Sequence, residues 1–207
     1  MSNRLQNENI TLMNEILRHI TNATSLDGKR VAVLIRHGER GKIPEGKFGN
    51  ELPLTPNGTQ QSLELGRALA RYPVTRIITS PILRCVQTAE ALRSGIEKPI
   101  SIVEDTHLGN PGFHISDPKK AGRHYIELGG EKVFEKFILG ENLEGISDAS
   151  YLRTTALEWL KSQANECGIS IFVTHDALIA HFAFANGIKT YSRENWIGFL
   201  DGVVIGF

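Results

Sequence analysis

The stretch VAVLIRHGERG, residues 31–41, decides the fold. Five apolar residues, mostly β-branched, run without a break and stop at Arg36, His37, Gly38, Glu39 and Arg40. A short continuous apolar run of this kind reads as a strand buried on both faces. Its carboxyl end delivers a histidine flanked by arginines, and open α/β sheets place their ligands at that end. Two further stretches end alike. Ile169 to Thr174 lead into His175 and Asp176, and Arg76-Ile77-Ile78-Thr79 leads into Ser80-Pro81 and then Arg84. Three strands so placed bring two histidines and an arginine to a common edge.

Between the strands the pattern is helical. Thr55-Pro56 starts a helix with Leu63, Leu65, Ala68 and Leu69 on its inner face. Ser80-Pro81 is expected to cap the next, which runs to about Arg93. A third strand covers Ile100 to Val103, a long helix starts at Ser147 or Asp148, and another runs from about Ala177 to Ala185. The tail WIGFLDGVVIGF reads as a hairpin about Asp201-Gly202, with Trp196 at the start of a strand. Alternating strands and helices predict an α/β three-layer sandwich, a mainly parallel central sheet with helices on both faces. The segment 104–147, with short helical patterns near 119–128 and 131–139, is expected to cap the strand ends within one domain over 1–207. Ile10, Met13, Ile16, Leu17 and Ile20 lie at helical spacing in an N-terminal extension over 1–28 that ends in a turn at 25–28.

Composition narrows the class. The chain has 207 residues, 41% of them hydrophobic, enough for a core without staples. Lys+Arg and Asp+Glu both number 23, so no basic excess points to nucleic acid or to an anionic membrane. The two cysteines, Cys85 and Cys167, have no metal-ligand spacing, and Cys85 reads as a small packing residue. The first residues are too polar for a signal peptide and no stretch reads as a membrane span, so a cytoplasmic location is the expectation.

Fixed cations beside a neutral imidazole suit a substrate that is both an anion and an electrophile. A phosphate ester is both. Arg36, Arg40 and Arg84 can clamp phosphoryl oxygens through bidentate contacts. His37, kept neutral by its cationic neighbours, is the candidate nucleophile. His175 would donate to the phosphoryl group in flight, and a carboxylic acid would protonate the leaving alkoxide and then deprotonate water. Asp176 and Asp105 are the candidates for that acid. Glu39 reads as a partner for a nearby cation and Trp159 as core, while His107, His114 and His124, in the irregular segment, either line the substrate side or bind nothing, the second being preferred.

The chain resembles the histidine phosphatase superfamily, which includes phosphoglycerate mutases and histidine acid phosphatases. The matching stretches are LIRHGER at 34–40, ELPLTPNGTQQSLELGRAL at 51–69, TSPILRCVQTAEAL at 79–92 and VTHDALI at 173–179. The resemblance implies a phosphoglycerate mutase-like fold and a phosphohistidine on His37. It further implies a phosphate pocket completed by Arg36, Arg84 and His175, with no metal or cofactor. Arg40 and Asp176 resemble the acid phosphatase branch, in which the second arginine binds phosphate and the Asp after the second histidine is the proton donor. Residues 51–69 look more like the mutase branch, whose acid falls at Asp105 in the stretch Glu104 to Gly109. The expected activity is metal-independent hydrolysis of phosphomonoesters, with a small phosphorylated molecule or a phosphoprotein as partner. The alternatives are a phosphomutase using the same intermediate and a non-catalytic phospholigand-binding protein. Against the mutase, Lys119, Lys120, Arg123, Lys132 and Lys136 lie at helix-surface spacing and do not read as a site for a second phosphate.

Overall fold

The structure, a computed structural model, describes residues 16–22 and 29–207. Five strands form one sheet: β1 (Arg30–Arg36), β2 (Val74–Thr79), β3 (Ser101–Glu104), β4 (Gly168–Thr174) and β5 (Gly202–Gly206), in the order β3-β2-β4-β1-β5. The first four are parallel, and β5 runs antiparallel to β1. The helices are α1 (16–22), α2 (Pro56–Leu69), α3 (Leu83–Ile96), α4 (Pro118–Leu128), α5 (Gly130–Ile138), α6 (Ala149–Tyr151), α7 (Leu157–Gln163) and α8 (Asp176–Ala185). A π-helical turn, Leu152–Ala156, joins α6 to α7, and Asp148 caps α6 by accepting from the Tyr151 amide at 2.8 Å.

Alternation along the strands builds two cores. Val31, Val33, Ile35, Ile169, Ile171 and Val173 face one side and pack with α1, α2 and α3. Ala32, Leu34, Ile78 and Phe172 face the other and pack with α5, the α6–α7 run and α8. The three-layer expectation therefore holds. Ile16, Leu17 and Ile20 are buried on the first side, whereas Ile10, Met13 and the turn at 25–28 lie outside the described residues. Among the described residues no helix is long and apolar enough to cross a membrane.

The helices α2 and α3 cross in backbone contact. A Cβ on Gly66 would fall 2.3 Å from the Leu92 carbonyl oxygen, and one on Gly95 would fall 2.2 Å from that of Leu63. No side chain fits either position without separating the pair.

Two local expectations need correction. The helix after β2 starts at Leu83, not at Ser80-Pro81, and its first turn has no side-chain cap. Ser80 is drawn elsewhere, as shown below. The tail is not a hairpin: only β5 is a strand, and residues 195–201 are irregular chain with a turn at 199–200. The apolar run from Trp196 to Leu200 reads like a strand, but its contacts go to Arg36 at the end of β1, to Asp176 at the start of α8 and to Phe134 of α5.

Candidate active site

The parallel register determines what meets at the carboxyl edge. Arg36 stands opposite Thr174, and Thr79 opposite Val173. Pairing continues one step beyond the strands, since the His37 amide donates to the Thr174 carbonyl at 3.0 Å and the Ser80 amide to that of Val173 at 2.9 Å. His37, His175 and Ser80 therefore sit side by side, with the two imidazole centroids 5.5 Å apart.

Arg84, in the first turn of α3, ties this edge together. Its Nε donates to His37 Nε2 at 3.0 Å, Nη1 to the Gly49 carbonyl at 2.8 Å, and Nη2 to His175 Nδ1 at 3.3 Å. His37 Nδ1–H donates to the Gly38 carbonyl at 2.8 Å, which leaves the lone pair on Nε2. His175 Nε2–H correspondingly donates to Ser80 Oγ at 3.1 Å. Gly109 lets the backbone close on this pair, because a Cβ there would lie 2.4 Å from Ser80 Oγ and 2.7 Å from His175 Nε2. Burial above all, then His175 and Arg84, push His37 well below the ordinary histidine value. Burial first and Arg84 next lower His175 to about 3. Both rings are neutral at physiological pH.

A cavity of about 1210 Å³ opens over this edge, lined by Arg36, Arg40, Arg84, His175 and Asp176 among others. His37 lies just behind it, 2% exposed, with its Nε2 covered by Arg84. Arg36 pairs with Asp176 at 2.9 Å, donates to the Ile197 carbonyl, and lies 4.3 Å from the Phe199 ring centroid. The Nε–H groups of Arg36 and Arg40 are buried without a protein partner. Burial, and then repulsion from Arg84 and Arg36, lowers the Arg40 pKa. Crowded guanidinium groups with spare donors favour an anion between them. Asp176 opens α8, and its carboxylate accepts from the Ala177 amide at 2.8 Å and the Trp196 indole at 3.2 Å. Burial alone would raise this carboxyl, but Arg36 and those two donors outweigh it and hold it well below the usual range.

Asp105 is not brought to the cavity. Its carboxylate turns back on its own chain, accepting from the His107 amide at 2.8 Å and meeting His107 Nδ1 at 2.7 Å. Glu39 pairs with no cation among the described contacts; it accepts from Thr55 Oγ1 at 2.7 Å and Asn57 Nδ2 at 2.8 Å, pinning the start of α2 to the loop after β1. Trp159 is only half-buried and stacks on His107 at 4.9 Å. Trp196 begins no strand. Sequence reasoning missed Ser80, Trp196 and Phe199 as parts of this site. Ser80 followed a strand whose two fellows both ended in functional residues, which was the one available signal.

Four histidines, His37, His114, His175 and His181, are buried and held below their ordinary values, with His181 near 4 through burial. The unfolded chain takes up protons near pH 6.5, where the folded one does not, so stability is full above that pH and is lost as pH falls. Each group contributes a slope of up to about 1.4 kcal/mol per pH unit below it. Thermal midpoints should be level above about pH 6.5 and fall steeply toward about pH 4. A midpoint unchanged across that interval would contradict the neutral, buried state of these rings.

Residues 32–109, which include Arg36, His37 and Arg84, match the family model of the histidine phosphatase superfamily (branch 1). Several solved structures share the fold. Phosphoglycerate mutase from Bacillus anthracis str. Sterne is 15% identical, with 86% of this chain and 87% of that one covered and a TM-score of 0.56. Phosphoserine phosphatase from Entamoeba histolytica is 22% identical, with coverages of 86% and 89% and a TM-score of 0.54. YhfR from Bacillus stearothermophilus is 24% identical, with coverages of 83% and 87% and a TM-score of 0.55. A curated relative, agropine synthesis reductase from Rhizobium rhizogenes, is 26% identical over 177 residues, or 84% of this chain, which spans only 35% of that protein's length. The match to the histidine phosphatase superfamily covers the arginine–histidine–arginine half of the pocket, and the likeness to the solved structures, which covers most of the chain, is one of fold.

Proposed function

We propose that this chain is a phosphatase that hydrolyses phosphate monoesters through a phosphohistidine on His37. The observation that carries the reading is the fixed tautomer of His37. Its Nδ1–H is held by the Gly38 carbonyl, so a neutral Nε2 lone pair faces Arg84, with Arg36, Arg40 and His175 alongside.

A phosphoryl group entering the cavity competes for the guanidinium groups. It draws Arg84 Nε off His37 Nε2 and uncovers the nucleophile, while Arg36 and Arg40 take the remaining oxygens. Two negative charges arriving beside Arg36 weaken its hold on Asp176 and raise that carboxyl toward protonation. Nε2 then attacks phosphorus as the ester P–O bond breaks. Asp176 gives its proton to the leaving alkoxide, and His175 steadies the oxygens in flight. In the second half-reaction the Asp176 carboxylate takes a proton from water. The water oxygen attacks phosphorus, the P–N bond breaks, and inorganic phosphate leaves with His37 restored.

Rapid quenching with labelled phosphate ester should trap a phosphoenzyme that is labile in acid and stable in alkali. Finding turnover with no such species, or label passed back to the product alcohol and not to water, would overturn the reading. The acid is tested through the leaving group. Asp176→Asn should lower turnover of alkyl phosphates by about 10²–10⁴-fold, and that of nitrophenyl phosphate by about tenfold or less, because nitrophenolate needs little protonation. Equal losses on both would remove Asp176 from that role.

A further inference from the structure

One wall of the cavity and the layer behind it carry polar groups that the mechanism leaves unused: His114 and Tyr125 line the wall, and His181 lies behind them. The Tyr125 hydroxyl, His114 Nδ1 and His181 Nε2 are buried without a partner. They form one cluster, with the His114 ring centroid 6.2 Å from Tyr125 and 5.7 Å from His181. His114 is 6% exposed, and both it and Tyr125 line the cavity that holds Asp176 and His175. Three separate pieces of chain supply the cluster: the loop before α4, α4 itself, and α8. Native proteins leave few buried polar atoms unpaired, so such a cluster at a cavity wall points to a partner that arrives with the ligand.

The surroundings restrict that partner. The same wall is otherwise apolar, built from Ile115, Ala121 and Leu128. Lys47, Lys132 and Arg193 also line the cavity, but all three are exposed to solvent, and Arg193 is paired with Glu131 at 3.7 Å. His181 Nδ1–H is committed to the Ala177 carbonyl at 2.7 Å, so its Nε2 is an acceptor. Burial keeps both histidines uncharged. A neutral imidazole and a phenol can each exchange hydrogen bonds with a hydroxyl group, which both donates and accepts. Neither offers a counter-charge to a carboxylate or to a second phosphate.

We propose that His114 and Tyr125 form the leaving-group subsite, and that it takes an uncharged, hydroxyl-bearing alcohol, as in a sugar or polyol phosphate. This inference rests on the phosphatase reading and adds a substrate class to it. It gives the cap a chemical task beyond covering the strand ends. A site built to pair with a hydroxyl discriminates strongly against an analogue lacking it, since its own polar groups are then left unsatisfied.

The test compares kcat/KM for glycerol phosphate, propyl phosphate and phosphoglycerate, with nitrophenyl phosphate as a reference, in the wild-type chain and in Tyr125→Phe and His114→Phe. The wild type should prefer glycerol phosphate to propyl phosphate and to phosphoglycerate by at least about tenfold. Tyr125→Phe should lower the glycerol-to-propyl ratio by about tenfold. Should His114→Phe fail to fold, Tyr125→Phe, which removes a single oxygen, carries the test alone. Turnover without a hydroxyl preference, a preference for the carboxylate, or a ratio untouched by Tyr125→Phe overturns the subsite and leaves the phosphatase reading standing. No phosphate release from any of the esters, nitrophenyl phosphate included, overturns the phosphatase reading and the subsite together.

Discussion

His37→Ala should abolish turnover, with kcat on nitrophenyl phosphate falling by about 10⁴-fold or more and no phosphoenzyme on quenching. The size of the loss follows from the absence of a substitute. His175 is the nearest other imidazole, but its two nitrogens are engaged by Arg84 Nη2 and Ser80 Oγ. Cys85 lies 3.6 Å from the His175 ring, yet burial pushes its thiol up to about 12, so it is no nucleophile. The fold should survive, because the His37 backbone continues the strand pairing through the Thr174 carbonyl whatever its side chain. Steady-state assays on a variant with wild-type circular dichroism decide the matter. Appreciable hydrolysis by that variant would remove His37 from the chemistry.

Arg84→Gln should lower kcat/KM by about 10³-fold or more and weaken the binding of vanadate, which mimics the five-coordinate phosphoryl group in transfer. One guanidinium holds His37 Nε2, the Gly49 carbonyl and His175 Nδ1 from three of its nitrogens, a fan that no other side chain reproduces. Arg84→Lys should therefore rescue little, since a single ammonium on a flexible stem cannot span the same three acceptors. Vanadate titration and kinetics of both variants check this. A lysine variant within about tenfold of wild type would show that charge alone suffices and that the fan is dispensable.

The parts of this architecture that could be read from sequence are those whose signal is local. The apolar runs of β1 and β4 are unbroken because both faces of the sheet are covered, so their ends are sharp and the residues just past them stand out. Arg36, His37, His175 and Asp176 were legible for that reason, and Thr55 for its capping chemistry. Asp105 was a fair candidate by its place after β3, but an Asx-type turn onto the His107 amide satisfied its carboxylate first. The aromatic loop of Trp196 and Phe199 could not be recognised, because a short apolar run looks the same whether it faces a neighbouring strand or an arginine and a carboxylate. Tyr125 was equally silent, and His114 stood out only as one of three histidines in an irregular segment, read as binding nothing. Nothing near them in the chain distinguishes a buried, unpaired imidazole from a satisfied one; only the cavity does.

The glycine crossing of α2 and α3 has a reach that its distance from the chemistry conceals. At the crossing the two backbones touch with no side chain between them, and Arg84 sits near the tip of the second helix. A lone methyl wedged at Gly66 or Gly95 would swing that tip. The guanidinium would then miss its three acceptors although every residue of the pocket was still present, so the shape of the pocket is set partly from the buried back of the molecule.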